Sequence, residues 1–127
     1  LTKVASGGEL SRIMLAMKSV LADKDEIPTL IFDEIDTGIS GRTAWKVSEQ
    51  LHLVAANHQV LCITHLPQIA AKGDTHFLGY KSDSEQGIST SIVKLSREQR
   101  IEQIAKMISG SNMTDAARKQ AENLLNY

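Results

Sequence analysis

A short β-prone run, Thr29-Leu30-Ile31-Phe32, stops abruptly in Asp33-Glu34, with Asp36 two positions on. This junction constrains the fold more than any other part of the chain. A buried strand that ends in carboxylates places charge at the carboxyl edge of a sheet, where open α/β proteins bind ligands. Adjacent Asp and Glu at such an edge suit two tasks: one holds a hard cation such as Mg²⁺, and the other positions or polarises a water. A strand followed by a merely solvated turn is the plain alternative, so the surrounding chain has to decide between them.

That surrounding reads as alternating elements. Ser6-Gly7-Gly8-Glu9 opens a helix, with Glu9 at capping-box spacing from Ser6. Leu10, Ile13, Met14, Met17, Val20 and Leu21 recur at helical spacing along one face. A polar connection, 23–28, leads to the first strand. Gly38-Ile39-Ser40-Gly41 turns into a second helix, about 42–56, with Ala44, Val47, Leu51 and Val54 on one face. Val60 to Ile63 is a second apolar strand. Strand, helix and strand in this order predict a parallel, right-handed βαβ unit. Pro67 starts a short helix that ends near Gly73. Two β-prone runs, 75–81 and 88–95, flank the turn-rich stretch 82–87 and predict an antiparallel hairpin. Ser96 and Thr114 then cap two closing helices, the first carrying Ile101, Ile104, Ala105 and Ile108 on one face and stopped by Gly110.

Composition removes several function classes. A net charge of −1 gives no global basic field for DNA or a membrane, and 4% aromatic content argues against a ring-stacking nucleic-acid surface. The single cysteine, Cys62, lies in an apolar run and reads as a buried, inert thiol. There is no signal peptide and no apolar run of bilayer length, which fits a cytoplasmic setting. With 127 residues the chain is long enough for one domain with its own core. It begins with Leu1 close to a functional-looking motif, which suggests a piece of something longer.

Three elements can converge on one sheet edge: the 6–9 helix start, the acidic end of the first strand, and Thr64-His65 after the second. A helix start offers unpaired N–H groups and partial positive charge to a phosphate, and Gly7 and Gly8 leave room for its approach. His65 stands after Ile63-Thr64 much as Asp33 stands after Phe32, so parallel strands place His65 and Glu34 in one cleft. His52, His58 and His76 have no such setting and read as surface or filler.

The order of these motifs resembles the second half of an ABC-type ATPase head. Residues 4–12, Val-Ala-Ser-Gly-Gly-Glu-Leu-Ser-Arg, resemble the ABC signature. Leu30 to Glu34 resembles Walker B with its catalytic Glu. Residues 37–41 occupy the D-loop position, and Ile63-Thr64-His65 resembles the switch-histidine loop. Asp33-Glu34-Ile35-Asp36 is closer to the SMC-like branch than to transporters, which usually place Pro-Thr after Asp-Glu. The stretch Phe32 to Gly41, together with Ile-Thr-His-Leu-Pro-Gln-Ile-Ala at 63–70, resembles the RecN family of bacterial double-strand-break repair proteins.

The resemblance implies a partial P-loop NTPase fold: a parallel βαβ core, an antiparallel hairpin and C-terminal helices, with 1–127 as the C-terminal part of the head. It implies that Asp33 holds Mg²⁺, that Glu34 orients the attacking water, and that His65 contacts the γ-phosphate. Ser6, Gly7, Gly8 and Glu9 would meet a nucleotide held by a partner head, and Asp36, Gly38 and Ser40 belong to the loop that signals across the dimer. ATP and Mg²⁺ are the implied cofactors of the complete head. The implied partners are the missing N-terminal half, a second head and, for the full-length protein, DNA at the nucleoid. One part is missing from the sequence: it has no Gly-x-x-x-x-Gly-Lys-Ser/Thr, the loop that cradles β- and γ-phosphates. The fragment alone is therefore expected to be inactive, and the surface its missing half would cover is expected to be apolar and sticky.

Two other readings stay open on sequence. One is half of another SMC-like or transporter ATPase. The other is a metal-dependent hydrolase built on Asp33, Glu34, Asp36 and His65. Lys94, Arg97, Arg100 and Lys106 interleave with Glu98 and Glu102 and read as a solvated helix face.

Overall fold

The computed structural model describes residues 6–21, 24 and 26–126; Val4, Ala5 and Asp23 lie outside the described residues. The chain divides into two compact units, with the boundary in sequence between Lys72 and Gly73. The first carries α1 (Gly7–Leu21), β1 (Thr29–Phe32), α2 (Gly41–Val54), β2 (Gln59–Cys62) and α3 (Pro67–Lys72). The second carries β3 (Phe77–Ser84), β4 (Gly87–Lys94), α4 (Arg97–Ser109) and α5 (Asp115–Leu125).

β1 and β2 pair in parallel, with Thr29 level with Gln59 and Phe32 level with Cys62. β2 begins one residue before the predicted strand because the Gln59 amide bonds the Pro28 carbonyl at 2.8 Å. The Ile63 amide donates to the Phe32 carbonyl at 3.0 Å and carries the ladder one step further. Asp33 is therefore level with Ile63, so His65 stands two residues further past the edge than Asp33 rather than at the equivalent position.

The predicted stripe of α2 is the heart of the first unit. Ala44, Val47, Leu51 and Val54 pack with Leu30 and Phe32 of β1, Leu15 of α1, Ile35 and Ile69. Among the described residues the strands are not buried on both sides as their apolar runs suggest: Ile31 and its partner Leu61 are exposed. α1 departs further. Its apolar stripe, Leu10, Ile13, Met14, Met17, Val20 and Leu21, is exposed throughout, and the helix buries only Gly8 and Leu15. The narrow, polar side of α1 packs inward because the acidic turn after β1 needs donors and close approach, as described below.

Two local expectations fail for identifiable reasons. His58 is not surface filler: it is 7% exposed, and its Nδ1 meets the Ile27 carbonyl at 2.6 Å, tying the lead-in of β1 to that of β2. Cys62 is half-buried rather than fully buried, because β2 turns alternate residues to the core.

In the second unit the hairpin turn is tighter than predicted. Ser82, Asp83 and Ser84 continue β3 and pair with Ser89, Ile88 and Gly87, leaving Glu85-Gln86 as the connection. Gly87 sits at φ 118°, a conformation that glycine reaches without steric cost. Ser96 and Gln99 form a full capping box at the start of α4, and Thr114 caps α5 by accepting from the Ala117 amide at 3.1 Å. Ile101, Ile104 and Ala105 bury one face of α4, and Ala117 and Ala121 do so for α5. The cations near α4 are engaged locally: Arg97 with Asn126, Arg100 with the Gly73 carbonyl, and Arg118 with Glu98 and Glu122.

Candidate functional site

The carboxyl edge of β1 and β2 opens into a pocket of about 190 Å³ lined by Asp33, Glu34, Asp36, Thr37, Ile63, Thr64 and His65. Glu34 and His65 share it, because parallel pairing brings both loops to one rim. Asp33 and Glu34 are exposed there, and Asp36 is buried.

Asp36 organises the rim. Its Oδ2 accepts from the Thr64 hydroxyl at 2.6 Å and the His65 amide at 2.7 Å, and lies 2.9 Å from His65 Nδ1. Burial alone would raise this carboxyl's pKa. The Thr64 hydroxyl, the His65 amide and the His65 ring outweigh burial and hold it below the ordinary carboxylate value, so it is a carboxylate at neutral pH. With Nδ1 turned to Asp36, His65 presents Nε2 outward, and its side chain is 72% exposed.

Glu34 is the one non-glycine among the described residues with positive φ, at 59°. That left-handed backbone lets the chain reverse directly after Asp33; the Thr37 amide closes the turn onto the Glu34 carbonyl at 3.1 Å. Strain of this kind costs about 1 kcal/mol or more and persists where the surroundings enforce it.

α1 does the enforcing. Ser11 Oγ donates to the Asp33 carbonyl at 2.8 Å, and Arg12 Nη1 donates to the Ile35 and Thr37 carbonyls at 3.1 and 2.8 Å. The two glycines make the approach possible. A Cβ on Gly7 would collide with Glu34 Oε2; one on Gly8 would come within 2.9 Å of both the Glu34 carbonyl and Thr37 Cβ. Gly8 is thus filled by the turn rather than left open to a ligand. Ser6 caps the helix, its Oγ accepting from the Glu9 amide at 3.2 Å, and Ser6, Gly7 and Glu9 are exposed.

Gly38 (φ 77°) and Ser40, the N-cap of α2, lie outside the pocket lining. The sequence reading gave Ser11 and Arg12 no role of their own. Gly7, Gly8, Ser11 and Arg12 recur at i, i+1, i+4, i+5, a small-and-polar stripe that marks one side of a helix as plainly as an apolar stripe does. Among the described residues no group of three or more His, Cys, Asp or Glu could hold a metal ion by itself. No described helix is long and apolar enough to cross a membrane.

The fold matches that of part of a solved SMC ATPase chain. A solved structure from work on ATP-driven dimerization and DNA-stimulated activation of SMC ATPases superposes with a TM-score of 0.59 at 23% identity, over 85% of this chain and 64% of that one. Along nearly its whole length the chain matches one segment of the RecN DNA repair proteins. It is 46% identical over 125 residues to the DNA repair protein RecN of Bacillus subtilis, and 46% and 47% identical to those of Treponema pallidum and Rickettsia conorii. Each match covers 98% of this chain, but the chain spans only 22–23% of the length of these relatives. No family model matches.

Proposed function

We propose that this segment supplies the water-positioning half of an ATP-hydrolysing head. The observation that carries the reading is Glu34, held in a strained turn at the carboxyl edge of β1, against a glycine-opened helix start on one side and sharing a pocket with His65 on the other.

In this reading Glu34 orients the attacking water and His65 offers Nε2 to the terminal phosphate. Asp33 takes one position on Mg²⁺, whose part when bound is to neutralise charge on the phosphate oxygens. The donor set fits: Mg²⁺ is commonly held by one or two carboxylates plus phosphates and water rather than by a protein cage. The pocket suits a terminal phosphate and falls short of the roughly 300–1,000 Å³ typical of sites for larger ligands. The remaining cradle is assigned to an N-terminal half carrying the phosphate loop. The Ser6–Glu9 helix start is assigned to the nucleotide of a second head, and the loop from Asp36 through Gly38 to Ser40 to communication between heads. DNA repair in the cytoplasm, on the nucleoid, is the setting proposed for the whole protein, after its RecN relatives.

The test is steady-state ATP hydrolysis by the full-length protein. Glu34→Gln should lower turnover by about 10²-fold or more while nucleotide binding persists. Turnover close to that of the unsubstituted protein would overturn the reading. The 127-residue segment alone should hydrolyse no ATP above background.

A further inference from the structure

We infer that Arg12 is a positioning residue that couples the start of α1 to both Glu34 and His65; the inference rests on the ATPase reading above for its catalytic consequence, but on geometry alone for its structural one. Arg12 Nη1 carries two N–H groups, and the carbonyls of Ile35 and Thr37 take one each. These two residues bracket Asp36, whose Oδ2 gathers the Thr64 hydroxyl and the His65 amide and ring. Ser11 holds the carbonyl of Asp33, on the near side of Glu34. The carbonyls of 33, 35 and 37 are thus all captured by one side of α1, and the residues between them are Glu34 and Asp36.

The consequence is mechanical. The left-handed turn at Glu34 is unfavourable in isolation, so it needs fixed points on both sides. Ser11 provides the first and Arg12 the second. A displacement of the helix start, where Gly7 faces the Glu34 carboxylate, must then move the Glu34 turn and the Asp36–His65 pair together. Arg12 touches no reacting atom in this scheme; it sets where two other side chains stand.

The experiment uses the full-length protein with Arg12→Met, which keeps a long stem and removes the donors, and Arg12→Lys, which restores up to three N–H donors at similar reach. Turnover and the KM for ATP are measured alongside hydrogen exchange of the Thr37 amide. Arg12→Met should lower kcat about tenfold or more, the equivalent of about 1.4 kcal/mol, with KM within about threefold. Thr37 exchange should quicken by a similar factor while amides of α2 stay unchanged. Arg12→Lys should regain most of both. If Arg12→Met unfolds the head, Ser11→Ala, the loss of a single hydroxyl, should show smaller changes in the same direction. Unchanged kcat and unchanged Thr37 exchange in Arg12→Met, or Arg12→Lys no better than Arg12→Met, would overturn the inference. If the unsubstituted protein shows no turnover sensitive to Glu34→Gln, the ATPase reading fails, and Thr37 exchange still decides the positioning role.

Discussion

Removing the Asp36 carboxylate should loosen the first unit by an amount that can be worked from its contacts. Oδ2 accepts from the Thr64 hydroxyl and the His65 amide in part-buried surroundings, and from a His65 ring that is largely exposed. Bonds to a charged acceptor contribute about 1.5–3 kcal/mol each; the exposed ring is discounted to a fraction of that. Relief of the cost of burying the carboxylate offsets part of the sum. Asp36→Ala should therefore cost about 2–3 kcal/mol, and Asp36→Asn, which keeps one acceptor oxygen without the charge, about half as much. At the scale of a chain this size, the Ala variant should melt about 8–12 °C lower.

Trp45 is the sole tryptophan and lies in α2, so its fluorescence during urea unfolding reports on this unit. The effect of pH has a definite sign. The folded carboxyl titrates below its ordinary value, so its contribution is complete above the unfolded value of about 4 and is lost as pH falls through the folded one. The margin of the unsubstituted chain over Asp36→Asn should hold from pH 5 to 7 and collapse below about pH 4. An Ala variant within about 0.5 kcal/mol of the unsubstituted chain, or a margin that widens in acid, would refute the reasoning.

Four further outcomes are expected. Gly8→Ala should destabilise by about 1–3 kcal/mol, because its Cβ meets backbone and Thr37 Cβ. Gly7→Ala should be nearly neutral in the same urea assay, because its Cβ meets only the movable end of Glu34, and should reduce turnover of the full-length protein instead. The Cys62 thiol is pushed up to about 12, first by burial and then by the charges of Asp36 and Asp33, so alkylation at pH 8 should be about 10²-fold slower in the folded chain than in urea; equal rates would contradict it. The exposed stripe of α1 and the bare face of the sheet should make the 127-residue segment self-associate, and static light scattering reading a monomer at high concentration would count against that.

How much was legible in the sequence depended on where each residue's partner lies. The α2 stripe was readable because all four of its predicted positions meet a core made within the same unit. The α1 stripe was equally periodic, but its spacing could not say that no described element faces it. Ser82, Asp83 and Ser84 looked like turn because polar residues suit turns; in an exposed hairpin they pair just as well, and Gly87 alone marked the reversal. Glu34 and His65 were placed together by the order of two strands. The work of Asp36 and Arg12 was invisible at that level, since it depends on register and on which side of α1 turns inward.

The left-handed backbone of Glu34 sets robustness against chemistry. Glycine accepts that conformation freely, so Glu34→Gly would relax the turn by about 0.5–1 kcal/mol while deleting the side chain that the proposed reaction needs. A laboratory selection on heat resistance alone would tend to drift away from glutamate here, and only a screen that also demands turnover would retain it.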